Sequence, residues 1–212
     1  MKKIAFIIMF ALTALLQADE LFNQATQASL AGDHPKAYTL MRKAAQKGNI
    51  YAQVNLGLMY EAGRGTPRDY EKAKYWYEKA AEKGDAKALY NLGLMYESGK
   101  GVAADQAKAM EWYREAGSNG SIDAQFNLAN RYYKGIGTKQ DFAKASYWYQ
   151  KAANGGYAPA QYSLGLMFVN GQGVKLNKIV AFEYWIKAAR QSHLKAQRSL
   201  DRLCRESPWA CR

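Results

Sequence analysis

Apolar and small residues along this chain return in phase every 36 positions. Ala52, Leu56 and Tyr60 lie at i, i+4 and i+8, which is one face of a helix. The same face returns at Ala88, Leu92 and Tyr96, at Ala124, Leu128 and Tyr132, and at Ala160, Leu164 and Phe168. A second face follows within each copy. It is built in the first from Ala73, Trp76, Tyr77, Ala80 and Ala81, and its aromatic pair recurs as Trp112-Tyr113, Trp148-Tyr149 and Tyr184-Trp185. Each copy therefore predicts two amphipathic helices. The expected fold is all-α, an α/α solenoid of about five helix-turn-helix repeats with a C-terminal capping helix. Four full copies occupy 52–87, 88–123, 124–159 and 160–195. Residues 19–51 form a degenerate N-terminal repeat, recognisable from Ala37, Ala44-Ala45 and Gly48, and 196–212 supply the capping helix and tail.

Polar and glycine positions mark the joints. Paired glycines follow each first helix: Gly63/Gly65, Gly99/Gly101, Gly135/Gly137 and Gly171/Gly173. A glycine there permits the left-handed turn that ends a helix. Asp69, Asp105, Asp141 and Asn177 then stand where a side chain can accept from the free N–H groups of the second helix. The residue between the glycines varies: Arg64, Lys100, Ile136, Gln172. A phosphate-binding loop needs a preceding strand and a Lys-Ser/Thr opening a helix, so Gly-Lys-Gly at 99–101 is a joint. Gly57, Gly93 and Gly165 lie inside helices, where glycine costs about 1 kcal/mol against alanine. Close approach of the paired helix, with its aromatic rings over the gap, is the expected compensation.

The N-terminus changes the compartment. Lys2 and Lys3 precede the uncharged, mostly apolar run Ile4–Leu16, followed by Gln17-Ala18. This is the layout of a cleavable leader, cut after Ala18, and predicts a periplasmic or secreted protein. In an oxidising compartment the only two cysteines, Cys204 and Cys211, are candidates for a disulfide that ties the tail to the last helix. The formal charge of +12 is concentrated at the C-terminal end, where 173–212 carry nine basic and three acidic side chains. That end suits an anionic envelope surface or an acidic protein. Nucleic acid is not expected as a partner, nor is a metal or cofactor.

The leucine–glycine–aromatic helix, the Gly-x-Gly joint, the capping acid and the Trp/Tyr helix together resemble the Sel-one-like repeat family, over about 33–203. The resemblance implies helix pairs stacked into a superhelix, and protein binding rather than catalysis. It also implies roles seen among exported bacterial members: envelope adaptors, regulators of envelope signalling, host-interaction factors, and immunity proteins against phospholipase effectors of type VI secretion. One cysteine-rich branch is linked to penicillin binding, but the repeats here hold no cysteine.

The side of the first helix opposite its core face is apolar and is the expected partner-binding groove of a monomer. It comprises Tyr90, Leu94 and Glu97, then Phe126, Asn130 and Tyr133, then Tyr162 and Leu166. The third copy departs from its siblings there, with Asn130, Arg131 and Tyr133 where others carry Leu, Met and Glu or Val. No catalytic residue is expected. Ser192-His193-Leu194-Lys195 matches the Ser-x-x-Lys of serine acylation, but Ser192 stands where the other copies close on glycine.

Overall fold

The computed structural model describes the backbone of residues 2–211 and the side chains of 13 and 15–209. Among them it is wholly helical. The helices are α1 (Lys2–Leu30), α2 (His34–Gln46), α3 (Ile50–Ala62), α4 (Tyr70–Ala81), α5 (Ala86–Ser98), α6 (Gln106–Ser118), α7 (Ile122–Lys134), α8 (Phe142–Asn154), α9 (Ala158–Asn170), α10 (Lys178–Ala189) and α11 (Leu194–Glu206), followed by a 3-10 turn, Pro208–Cys211. They group into two units, one ending at Asp105 and one beginning at Gln106. In the first, α1 to α5 pack each on the next. In the second, α6 to α11 do the same, and the 3-10 turn lies against α10 and α11. Most of the leader's side chains, 1–12 and 14, fall outside the described residues. Among the described residues no helix is long and apolar enough to cross a membrane.

The predicted faces form the core. Ala52, Leu56 and Tyr60 are buried, as are Ala88 and Leu92, Ala124, Leu128 and Tyr132, and Ala160 and Leu164. The second face buries Ala73, Tyr77 and Ala80, and its counterparts Ala109, Tyr113 and Ala116. Alanine recurs at full burial because helices joined by short turns must approach closely, which larger side chains would prevent. In the degenerate N-terminal repeat, Ala18, Ala25 and Ala28 of α1 are the buried residues that face α2.

Caps fix the ends. Asp33, Asp69 and Asp141 each accept from the backbone N–H three residues on, and Asn177 does so from Ile179 and Val180. The first helices carry caps as well: Asn49, Asp85, Ser121 and His193 accept from Ala52, Ala88, Ala124 and Ala196. These stand at the same 36-residue spacing. Asp69 and Asp141 are held below the usual carboxylate range. The Lys72 ammonium dominates for Asp69, and the Lys144 backbone N–H followed by its ammonium for Asp141.

The second glycine of each joint seats one repeat on the one before. Gly65 and Gly173 both adopt the left-handed conformation, and a Cβ on either would collide with the backbone carbonyl that opens the preceding repeat's second helix, at His34 and Phe142. Glycine is needed here on two counts, the sign of φ and the absence of room. A buried glutamine makes a second tie. Gln53, Gln125 and Gln161 donate to Ala45 O, Gly117 O and Ala153 O at 3.2, 2.9 and 3.2 Å, joining consecutive hairpins. The second full copy carries Leu89 at this position instead.

Candidate protein-binding surface

In the first and fourth full copies an aromatic ring of the second helix covers the glycine of the first, and the third copy carries Ala129 there. A methyl group on Gly57 would overlap the Tyr77 ring, and one on Gly165 would overlap the Trp185 indole. The compensation expected for a mid-helix glycine is therefore present. The buried polar tip of each ring must then find a partner. Tyr77 donates to Glu61 Oε2 at 3.0 Å. Tyr149 donates to Asn130 Oδ1 at 2.6 Å. Trp185 donates its indole N–H to the Tyr162 carbonyl at 3.0 Å. Burial, reinforced by the Glu61 charge, pushes the Tyr77 phenol far up, and burial, partly offset by a Ser163 hydrogen bond, raises Tyr149 to about 12.

These contacts give the third copy's departures an internal reason. With Tyr133 where siblings carry Glu61 and Glu97, the acid that would accept from Tyr149 is missing, and Asn130 replaces leucine to supply the acceptor. Where the ring is an indole bonded to the backbone, the acid position is free to be Val169. Arg131 is not on an outward position, as its place beside Asn130 suggested. It is 4% exposed, in the core slot held by Met59, Met95 and Met167. Its guanidinium donates twice to Gln106 Oε1, both at 2.9 Å, and lies 5.2 Å over the Tyr113 ring.

The other predicted groove residues divide between the two units. In the first, Leu94 and Glu97 are exposed and Tyr90 is half-buried. In the second, all are partly covered by internal contacts. Phe126 packs edge-on against Tyr157 with ring centres 5.0 Å apart, and Tyr133 packs on Phe142 and donates to Gln172 at 3.1 Å. Tyr162 stacks on Trp185, and Leu166 packs against the cluster of Trp185, Ala188, Ala196 and Leu203.

Open space is found on the first helices at a set of positions that overlaps the predicted groove at Leu166. In the first unit a cleft of about 260 Å³ is lined on α3 by Asn55, Leu58, Met59 and Ala62, with Arg64, Met41 and His34 around them. In the second unit a cleft of about 260 Å³ is lined on α11 by Ser199, Arg202, Leu203 and Glu206, with Leu166, Val169 and Asn170 of α9 opposite and Trp185 between. The two sets of four correspond one to one, four repeats apart. Both clefts have an apolar floor and a polar rim, the lining that suits a protruding apolar side chain of a partner.

A family model described as Sel1 repeat matches residues 27–49, 50–85, 86–121, 122–157 and 158–193. The chain belongs to the Sel1 repeat family. Its full Sel1 units thus run from the first residue of one first helix to the cap residue of the next, two residues ahead of the copies counted from the alanines. Among solved structures it is similar to c5321, a protective antigen of uropathogenic Escherichia coli displaying an SLR fold. The identity is 30%, the TM-score is 0.83, and the match covers 90% of this chain and 42% of that one. It is also similar to a Sel1 repeat protein from Oxalobacter formigenes, at 38% identity and TM-score 0.76, over 80% of this chain and 49% of that one. A third similarity is to the immunity protein PA5088 of Pseudomonas aeruginosa, at 26% identity and TM-score 0.55, over 85% of this chain and 67% of that one. Among curated proteins, rat DAP3-binding cell death enhancer 1 is 53% identical over 38 residues, 18% of this chain and 8% of that protein. The chain thus spans under half of the first two structures and a small part of the curated relative.

Sel1 hairpins form a protein-binding scaffold, so the clefts are the places to look for a partner. The Sel1 register also shows what the sequence reading missed. The cleft set 55, 58, 59 and 62 is itself an i, i+3, i+4, i+7 face, carrying Asn55, Asn91, Asn127, Ser163 and Ser199 at its leading position. That recurrence is visible in the sequence, but the expected groove runs along 54, 58 and 61 and their counterparts instead. The Ser-x-x-Lys match spans a joint. Ser192 adopts φ 62° in the closing turn, and His193 caps α11 with Lys195 in its first turn. Serine and lysine are therefore not on successive turns of one helix, as acylating pairs require. Cys204 is disulfide-bonded. Cys211, the other half of the expected bond, has its side chain outside the described residues.

Proposed function

We propose that this chain is an exported protein-binding repeat scaffold, acting as an adaptor or regulator in the bacterial envelope. The observation that carries the reading is the recurrence of one kind of cleft at corresponding first-helix positions, apolar at the base and polar at the rim. A partner helix or extended segment can set large side chains into such clefts at intervals, which is how helical repeats gain affinity from modest individual pockets. Export is supported by the two lysines, the apolar run and the Gln17-Ala18 exit of the N-terminus. The test is capture from a periplasmic extract with the wild type, with Leu58→Asp and with Arg202→Ala, helicity being checked by circular dichroism. Several partners held by the wild type and lost by a folded variant support the reading. Undiminished capture by both folded variants rejects it. Mass spectrometry of the exported protein checks the compartment, with Asp19 as the expected first residue.

A second reading is an immunity protein that neutralises a secreted toxic effector. It is favoured by the similarity to PA5088, which covers two thirds of that chain. An inhibitor holds one partner very tightly, whereas an adaptor holds several moderately. The off-rates of captured partners separate the two.

A further inference from the structure

The charge of the C-terminal end suits an anionic envelope surface or an acidic protein, and the structure adds exposed apolar side chains to it. Leu176, Ile179 and Trp209 are 58%, 50% and 59% exposed, unusual for residues of this size. They come from two segments: the loop and first turn leading into α10, and the 3-10 turn after α11. These segments meet. Lys178 Nζ donates to Ser207 Oγ at 2.8 Å, and the 3-10 turn packs on both α10 and α11. The disulfide of Cys204 adds a covalent restraint one turn before Ser207. Close to them in the sequence are the cations Lys175, Lys178 and Arg205, within 173–212, which carries nine basic and three acidic side chains.

We propose that this edge seats the protein on a bilayer surface rich in anionic headgroups. Tryptophan prefers the headgroup level, where its ring is apolar and its N–H is wet. Aliphatic side chains beside it enter the acyl boundary, and flanking cations answer the negative surface. These side chains are exposed, and exposed apolar tips among cations suit a soft planar partner better than a protein knob. Attachment is peripheral, and Leu176, Ile179 and Trp209 are not among the residues lining the two first-helix clefts.

The test is co-sedimentation of the full chain with vesicles of phosphatidylcholine alone and of phosphatidylcholine with phosphatidylglycerol. The expected result is at least tenfold stronger partition onto the anionic vesicles, reduced by 0.5 M salt. Leu176→Asp with Ile179→Asp, and separately Trp209→Asp, abolish most of that gain. Tyr75→Asp, at an exposed aromatic of the other unit, leaves it intact. Brominated lipid is expected to quench a tryptophan signal that Trp209→Phe removes, a readout that stands even if the aspartate variants fold poorly. Equal partition onto both vesicle types overturns the proposal, as does anionic binding unchanged in the folded aspartate variants. So does capture of soluble polyglutamate that depends on Leu176, Ile179 and Trp209 in the absence of vesicle binding, since that marks an acidic protein as the occupant.

Discussion

Tyr149 and Asn130 form a pair whose members make sense only together. Replacing Asn130 with the leucine of its siblings leaves a buried phenol without that acceptor. The expected cost is roughly 1 kcal/mol, the net worth of one buried hydrogen bond, with the Ser163 hydroxyl still beside the phenol. In Asn130→Leu with Tyr149→Phe, polar donor and polar acceptor leave together. Urea denaturation should show the double variant less destabilised than the sum of the two singles, and strict additivity would contradict the pairing. His193 sets a pH dependence. Burial, and then the Lys195 charge, lowers its pKa from the ordinary value, and its neutral Nδ1 accepts from Ala196 N–H at 3.2 Å. The unfolded chain takes up its proton at about pH 6.5 and the folded chain only lower, so this contribution to stability is complete above that pH and lost as the pH falls through the folded value. In His193→Asn the cap is kept and the titration removed. Between pH 7.5 and 5 the wild type should lose stability relative to this variant, and parallel curves would rule out the role.

At the scale of the helix and its turns, Ser192 is the one described non-glycine residue with positive φ, at 62°. The corresponding places in earlier copies hold Gly48, Gly84, Gly120 and Gly156, all left-handed. A side chain costs roughly 1–2 kcal/mol in this conformation. Ser192→Gly should therefore raise the thermal midpoint by a few degrees, measured by circular dichroism, and a fall would show that the hydroxyl gives something back. Gly57→Ala should act the other way. The gain of about 1 kcal/mol in helix propensity is outweighed by overlap with Tyr77, a ring with no room to withdraw. The same comparison shows what was legible in advance. Helix faces, joints and closing turns repeat as residue types, so Leu56, Gly63 and Asp69 announce their roles. What a side chain touches across the hairpin does not repeat so simply. Glu61 and Asn130 serve equivalent phenols from positions three residues apart in the register, and Arg131 occupies a methionine slot. Such exchanges depend on reach and hydrogen-bond geometry, which periodicity does not encode. The first-helix caps Asn49, Asp85, Ser121 and His193 share a register position but not a residue type, which hid them.

For the molecule as a whole, stability follows from hairpins and the seams between neighbours. One seam is the buried glutamine, and the chain has already tried its replacement as Leu89. Gln161→Leu should accordingly cost less than removal of the whole side chain, since apolar contact offsets the loss of two hydrogen bonds, to Ala153 O and from Gln191 Nε2. Gln161→Ala should cost about 1–3 kcal/mol through the lost packing and bonds. Native-state hydrogen exchange of α9 and α10 gives the comparison, and equal protection in both variants would show that the seam is held elsewhere.

In three hairpins the ring, the small residue in register beneath it and the acceptor of its polar tip come from the same unit: Tyr77 with Gly57 and Glu61, Tyr149 with Ala129 and Asn130, Trp185 with Gly165 and the Tyr162 carbonyl. A gene duplication that breaks at the closing turn copies this trio entire. A crossover inside the Gly-x-Gly joint can instead marry the phenol of one copy to the valine of another, stranding a hydroxyl in the interior. The chain can lengthen, shorten or shuffle its units at one kind of breakpoint and not at the other.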